Sequence, residues 1–73
     1  IMKLKKLLEL VSSDTKIEVI FEYDLTIKPC DYPKYEDLEV AELRLAEGTD
    51  TLKVHISANG FFYNPKKNKY VKY

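Results

Sequence analysis

Two runs in this chain alternate apolar and polar residues so regularly that they leave little choice of backbone. Residues 16–23, KIEVIFEY, set Ile17, Val19, Phe21 and Tyr23 against Lys16, Glu18 and Glu22. Residues 51–57, TLKVHIS, set Leu52, Val54 and Ile56 against Thr51, Lys53, His55 and Ser57. Successive side chains of an extended strand point to opposite faces, so each run predicts a strand with one buried face. Ile20 stands on the polar side of the first strand, where it is expected to meet a second layer or a partner. The chain has 73 residues, and a domain of this size buries only about 60% of the surface its unfolded chain exposes. One thin core is therefore expected, within a single small domain spanning 1–73. A hydrophobic content of 45% is ample to fold it.

The remaining segments are read around these strands. In MKLKKLLELV, residues 2–11, Leu4, Leu7, Leu8 and Val11 fall at i, i+3, i+4 and i+7, one face of an α-helix. Ser12, Ser13 and Asp14 then favour a turn. Asp24 opens another, and Leu25 to Lys28 return as a short antiparallel strand that stops before Pro29, which has no amide proton for a ladder bond. PCDYPKYEDL reads as a loop with one helical turn opening at Pro33. EVAELRLAE has helix-forming composition, but Ala41, Leu43 and Leu45 alternate with Glu42, Arg44 and Glu47. Placed before Gly48-Thr49-Asp50 and TLKVHIS, it completes a β-hairpin. Asn59-Gly60 marks a further turn. In FFYNPKKNKYVKY, residues 61–73, two readings stand: a terminal hairpin turning at 64–68, or a mobile basic aromatic tail. The fold class that follows is α+β, one N-terminal amphipathic helix packed on an antiparallel sheet of about four strands.

The arrangement KLKKLLELVSSDTKIEVIFEYD, a short amphipathic helix, a polar turn and an alternating strand, resembles small uncharacterised proteins encoded by phages and prophages of Gram-positive bacteria. The likeness covers residues 2–24. It implies a small accessory protein of a mobile element and brings no catalytic residues with it. PCDYPKYEDL and the C-terminal segment lie outside it. Ile1 ahead of Met2 is expected to be a vector-derived residue, with Met2 the natural start.

Formal charge is zero, but the zero is a cancellation. Residues 1–13 carry three Lys and one Glu, residues 14–50 eleven acids and four bases, and residues 51–73 five Lys and no acid, giving +2, −7 and +5. The basic end interleaves Lys66, Lys67, Lys69 and Lys72 with Tyr63, Tyr70 and Tyr73, a mixture that neutralises phosphates while rings stack on unpaired bases. The same segment can instead fold back on the acidic middle. That middle, with Asp31, Glu36, Asp37, Glu39, Glu42 and Glu47, allows an acidic imitation of a nucleic-acid backbone that inhibits a host enzyme, or an ordinary solvated face. Lys3, Lys5 and Lys6 open the helix, where its dipole favours acids instead. In the loop, Tyr32 and Tyr35 either form an exposed interface patch or cap the thin core.

Chemistry beyond binding finds little footing. One Cys, Cys30, and one His, His55, cannot build a zinc cage, and no spacing joins them as a catalytic pair. Glu18 and Glu22 share a strand face as paired carboxylates often do on surfaces. No cofactor or metal is expected. A lone Cys, no membrane-length apolar run and no signal-peptide pattern point to the cytoplasm, which the resemblance implies is that of a bacterial host. The expected function is a non-catalytic protein-binding accessory protein. The alternatives are a nucleic-acid binder working through the Tyr/Lys segment and an acidic inhibitor. Uncovered strand edges also invite a homodimer.

Overall fold

The computed structural model describes residues 2–73; the reading of Ile1 as vector-derived lies outside the described residues. The chain runs α1 (Leu4–Leu10), β1 (Lys16–Phe21), β2 (Leu25–Ile27), a 3-10 turn (Pro29–Asp31), α2 (Tyr32–Tyr35), β3 (Glu39–Leu45), β4 (Thr51–Ser57), β5 (Phe61–Asn64) and β6 (Lys69–Lys72). This is an α+β fold with two sheets, a four-stranded one in the order β2-β1-β4-β3 and a two-stranded one of β5 and β6.

The expectation of an all-antiparallel sheet is corrected: β1 pairs parallel with β4, in register from Lys16 opposite Thr51 to Phe21 opposite Ile56. The pairs β1–β2 and β3–β4 are antiparallel. Alternation reports which face is buried but is identical for both strand directions. Direction is decided by residues 28–38, whose 3-10 turn and α2 carry the chain from β2 at one edge to β3 at the other. The β3–β4 hairpin then returns β4 to the middle, alongside β1.

A second correction concerns the end of β1. The strand stops at Phe21, and Tyr23 is 93% exposed rather than part of the apolar face. Glu22 takes a left-handed backbone, with φ of 57°. Its N–H bonds to the Ile56 carbonyl at 3.1 Å, and its carboxylate accepts from the Ala58 N–H at 3.3 Å. That twist takes Glu22 off the face of Glu18, whose carboxylate accepts from Thr26 instead, so the paired carboxylates of the sequence reading do not form.

In register, Ile17, Val19 and Phe21 share a face with Leu52, Val54 and Ile56 and with Leu43 and Leu45. The buried cluster draws on this face through Val19, Ile27, Val54 and Ile56, and joins them to Leu4, Leu7, Leu38 and Phe61. Leu8, Val11, Tyr32, Tyr35 and Tyr70 pack against it partly buried. On the opposite face, Ile20 is 8% exposed without a second sheet over it. It lies in a row between Thr26 and His55 of the flanking strands.

α1 is shorter than the 2–11 reading, because Val11 is already extended. No side chain caps its start. Its first amides are satisfied from a distance: Leu4 N–H donates to the Leu38 carbonyl and Lys5 N–H to that of Glu36, each at 2.9 Å. Asn59-Gly60 makes a corner between the two sheets rather than a hairpin loop. Phe61 N–H closes it onto the Ala58 carbonyl at 2.8 Å, and Gly60, with φ of 85°, supplies the left-handed third position of a type II turn.

Candidate protein-binding surface

Residues 61–73 form a hairpin, with Phe61 opposite Lys72, Phe62 opposite Val71, Tyr63 opposite Tyr70 and Asn64 opposite Lys69. Its turn is built from its own residues. The Asn64 carboxamide oxygen accepts the N–H groups of Lys66 at 2.9 Å and Lys67 at 3.3 Å, Asn68 takes φ of 53°, and the Tyr63 hydroxyl donates to the Asn68 side chain. This places Lys66 and Lys67 outward at the turn, both exposed.

The hairpin docks on α2 and β1 through rings. Tyr70 stacks on Tyr35 with centroids 5.4 Å apart, and both meet Phe21, at 5.4 and 5.1 Å. Tyr63 meets Tyr70 edge-on at 5.5 Å. Tyr35 is held protonated to higher pH than an ordinary tyrosine by burial, with Tyr70, Asp31 and Tyr63 adding. Burial does the same to Tyr32.

A charge clasp lies beside the rings. The Lys69 ammonium bonds the Glu36 carboxylate at 2.9 Å and the Asp37 carboxylate at 2.8 Å, and Lys3 approaches Asp37 at 3.9 Å. Asp37 titrates below the usual carboxylate range, chiefly because Lys69 donates a hydrogen bond to it, with the charges of Lys69, Lys3 and Lys5 assisting. Lys69 is raised above the usual ammonium value by its hydrogen bonds to Asp37 and Glu36. Of the lysines at the start of α1, Lys3 thus finds its acid in Asp37, far along the chain. Elsewhere in the acidic middle, Asp31 pairs with Lys34 and Glu42 with Arg44.

The clasp predicts a two-sided pH dependence. Asp37 is more acidic folded than unfolded, so its contribution is complete above about pH 4 and is lost as pH falls through the lower folded value. Lys69 is the reverse: its contribution is complete below about pH 10.4 and is lost as pH rises through the higher folded value. Lys69→Met is expected to cost about 1 kcal/mol at neutral pH, because all three groups keep some contact with water. Urea titrations from neutral to acid pH should show the gap from wild type closing as Asp37 protonates; a gap that stays constant would sink the assignment.

The nine residues singled out from the sequence therefore separate. Tyr35 and Tyr70 stack where the hairpin docks, Tyr63 meets Tyr70 there while staying 41% exposed, Tyr32 packs partly buried against the core, and Lys69 is neutralised within the chain. Lys66, Lys67, Lys72 and Tyr73 remain exposed. Sequence reasoning passed over Phe62. It is 39% exposed, and its ring lies 5.0 Å from that of Tyr73, which is 85% exposed. Once the pairing is known, alternation puts Phe62, Val71 and Tyr73 on one hairpin face, a signal that two candidate conformations for the segment concealed. Val71 of that face also lines a groove with Lys3, Asp37, Glu39, Phe61 and Lys72.

Cys30 and His55 sit on different elements, the 3-10 turn and β4. Among the described residues no three His, Cys, Asp or Glu side chains cluster to hold a metal ion, and no helix is long and apolar enough to cross a membrane. Comparison with known protein families, with curated proteins and with solved structures finds no match to this chain.

Proposed function

We propose that this chain is a non-catalytic protein-binding module, an accessory protein in the manner of the phage and prophage proteins it resembles, and that it binds through the free face of its C-terminal hairpin. The observation that carries the reading is the exposed Phe62–Tyr73 pair. Two rings left in water on a hairpin anchored by a ring cluster and an ion clasp are a rigid apolar contact, and aromatic side chains dominate the energetic centres of protein interfaces. The adjoining groove brings charges of both signs, Lys3 and Lys72 with Asp37 and Glu39, which suits the polar rim of a protein partner better than a polyanion. In this reading α1 packs its Leu4 and Leu7 stripe over the sheet and serves as scaffold.

Nucleic-acid contact is the weaker reading, since Lys69 spends its charge on Glu36 and Asp37. A photo-reactive phenylalanine analogue in place of Tyr73, expressed in the native host, tests the choice. A discrete protein adduct that disappears with Phe62→Ser and survives Lys66→Glu with Lys67→Glu supports the module. Adducts to nucleic acid, or a low-salt gel shift with DNA or RNA that those two glutamates abolish, would replace it with the second reading.

A further inference from the structure

The sheet ends on one side in the three residues of β2 and on the other in β3, which has an open edge. The chain's own start covers only the first part of that edge. Val40 N–H donates to the Met2 carbonyl at 2.8 Å, and Lys3 bridges Glu39. A bulge between Val40 and Glu42 then shifts the register, and among the described residues no backbone bond from another segment reaches Glu42 to Leu45 on this side. The alternation of an antiparallel ladder says which groups are free. Ala46 N–H bonds the Thr51 carbonyl at 3.0 Å, so Arg44 and Glu42 also turn inward to β4, whereas Leu43 and Leu45 present their N–H and C=O groups to the open edge. Their side chains are exposed as well, 49% for Leu43 and 64% for Leu45. An exposed apolar edge of this kind is a template for another strand.

We propose that the other strand is β3 of a second copy, paired antiparallel about a two-fold axis at Leu43. This is independent of the hairpin surface. The charges select both the occupant and the register. In that register Leu43 meets the partner's Leu43, Glu42 meets the partner's Arg44, and Arg44 meets the partner's Glu42. Within each chain Glu42 and Arg44 are already bonded at 2.7 Å, both exposed, so the four side chains close into a ring in which every neighbour has the opposite sign. The ring lies on the polar face, and the leucines meet on the apolar one. Centring the axis on Arg44 would free more backbone bonds but set Arg44 against its own copy, and like charges directly opposite are destabilising. Within one chain Arg44 faces Lys53 across the β3–β4 ladder, a repulsion that the partner's Glu42 relieves. Pairing stops where the bulge begins and where the 46–50 turn leaves the strand. The contact is short for an interface, so the dimer is expected to dissociate on dilution.

Sedimentation equilibrium over a wide concentration range tests this, with circular dichroism to confirm that each variant folds. Wild type is expected to approach twice the monomer mass at high concentration. Glu42→Arg and Arg44→Glu should each weaken the dimer roughly ten-fold, because two attractive pairs become repulsive, and the double exchange should restore it. With Cys30→Ser as background, Leu43→Cys should oxidise to a symmetric disulfide dimer and Arg44→Cys should not. A monomer at every concentration, a dimer indifferent to Glu42→Arg, or a double exchange that fails to restore it would each overturn the proposal.

Discussion

Leu38→Ala is expected to lower the stability of the fold by about 3–4 kcal/mol, the usual range for emptying a leucine site that cannot collapse. Leu38 is fully buried in the cluster with Leu4, Leu7, Val19, Val54, Ile56 and Phe61. It also occupies the junction between α2 and β3, where its N–H bonds the Tyr35 carbonyl at 3.0 Å and its carbonyl caps the Leu4 N–H at 2.9 Å. A cavity there loosens the core and the entry to α1 together. A domain of this length has roughly 4–10 kcal/mol in all, so the loss is a large fraction of the total. The thermal midpoint should fall by roughly 12–32 °C. Leu10→Ala makes the same chemical change at a position 62% exposed and should stay within about 0.5 kcal/mol of wild type. Calorimetry of both variants checks the contrast; equal losses would mean that Leu38 is not the keystone its burial makes it.

Tyr70→Ala should cost about 2–3 kcal/mol, and its effect should be local. Tyr70 touches Tyr35, Phe21 and Tyr63, and each aromatic pair adds about 0.5–1.5 kcal/mol beyond area burial. The ring is only partly buried, which keeps the total below that of a fully buried aromatic. With the stack gone, the hairpin keeps the Lys69 clasp and the buried Phe61 as anchors. Hydrogen exchange should then accelerate in β5 and β6 while the amides of β1 and β4 keep most of their protection. No hydrogen bond involves the Tyr70 hydroxyl among the described residues, so Tyr70→Phe should be nearly silent, within about 0.5 kcal/mol. If the phenylalanine variant loses as much as the alanine one, the ring stack is the wrong explanation for docking.

Legibility of the fold tracked the range of the interaction concerned. Val19, Val54 and Ile56 are buried as their alternation requires, and Leu43 and Leu45 lie on the strand face that EVAELRLAE assigned them. The same pattern failed at Tyr23, because a left-handed Glu22 is stabilised by Ile56 and Ala58, residues that local periodicity does not see. At the candidate surface, charge segregation allowed an encounter between a basic end and an acidic middle as one of several readings. It did not show that Lys69 alone of the four C-terminal lysines makes it, a matter of β6 lying along α2. Phe62 was overlooked for the related reason that its face is defined only once its strand has a partner.

What the sequence determined by itself is the presence of β1 to β4 and of the turns between them, the apolar face of β1 and β4, and the opposition of charge between its segments. These follow from side-chain period and local backbone preference, which act over a few residues. The tertiary structure alone decided that β1 and β4 run parallel, that Lys69 of the basic end is clasped by Glu36 and Asp37 of the acidic middle, and that one edge of the sheet stays open. Strand direction, ion pairing and edge exposure depend on which distant segments come together. In a chain this short, the connection at residues 28–38 makes that selection.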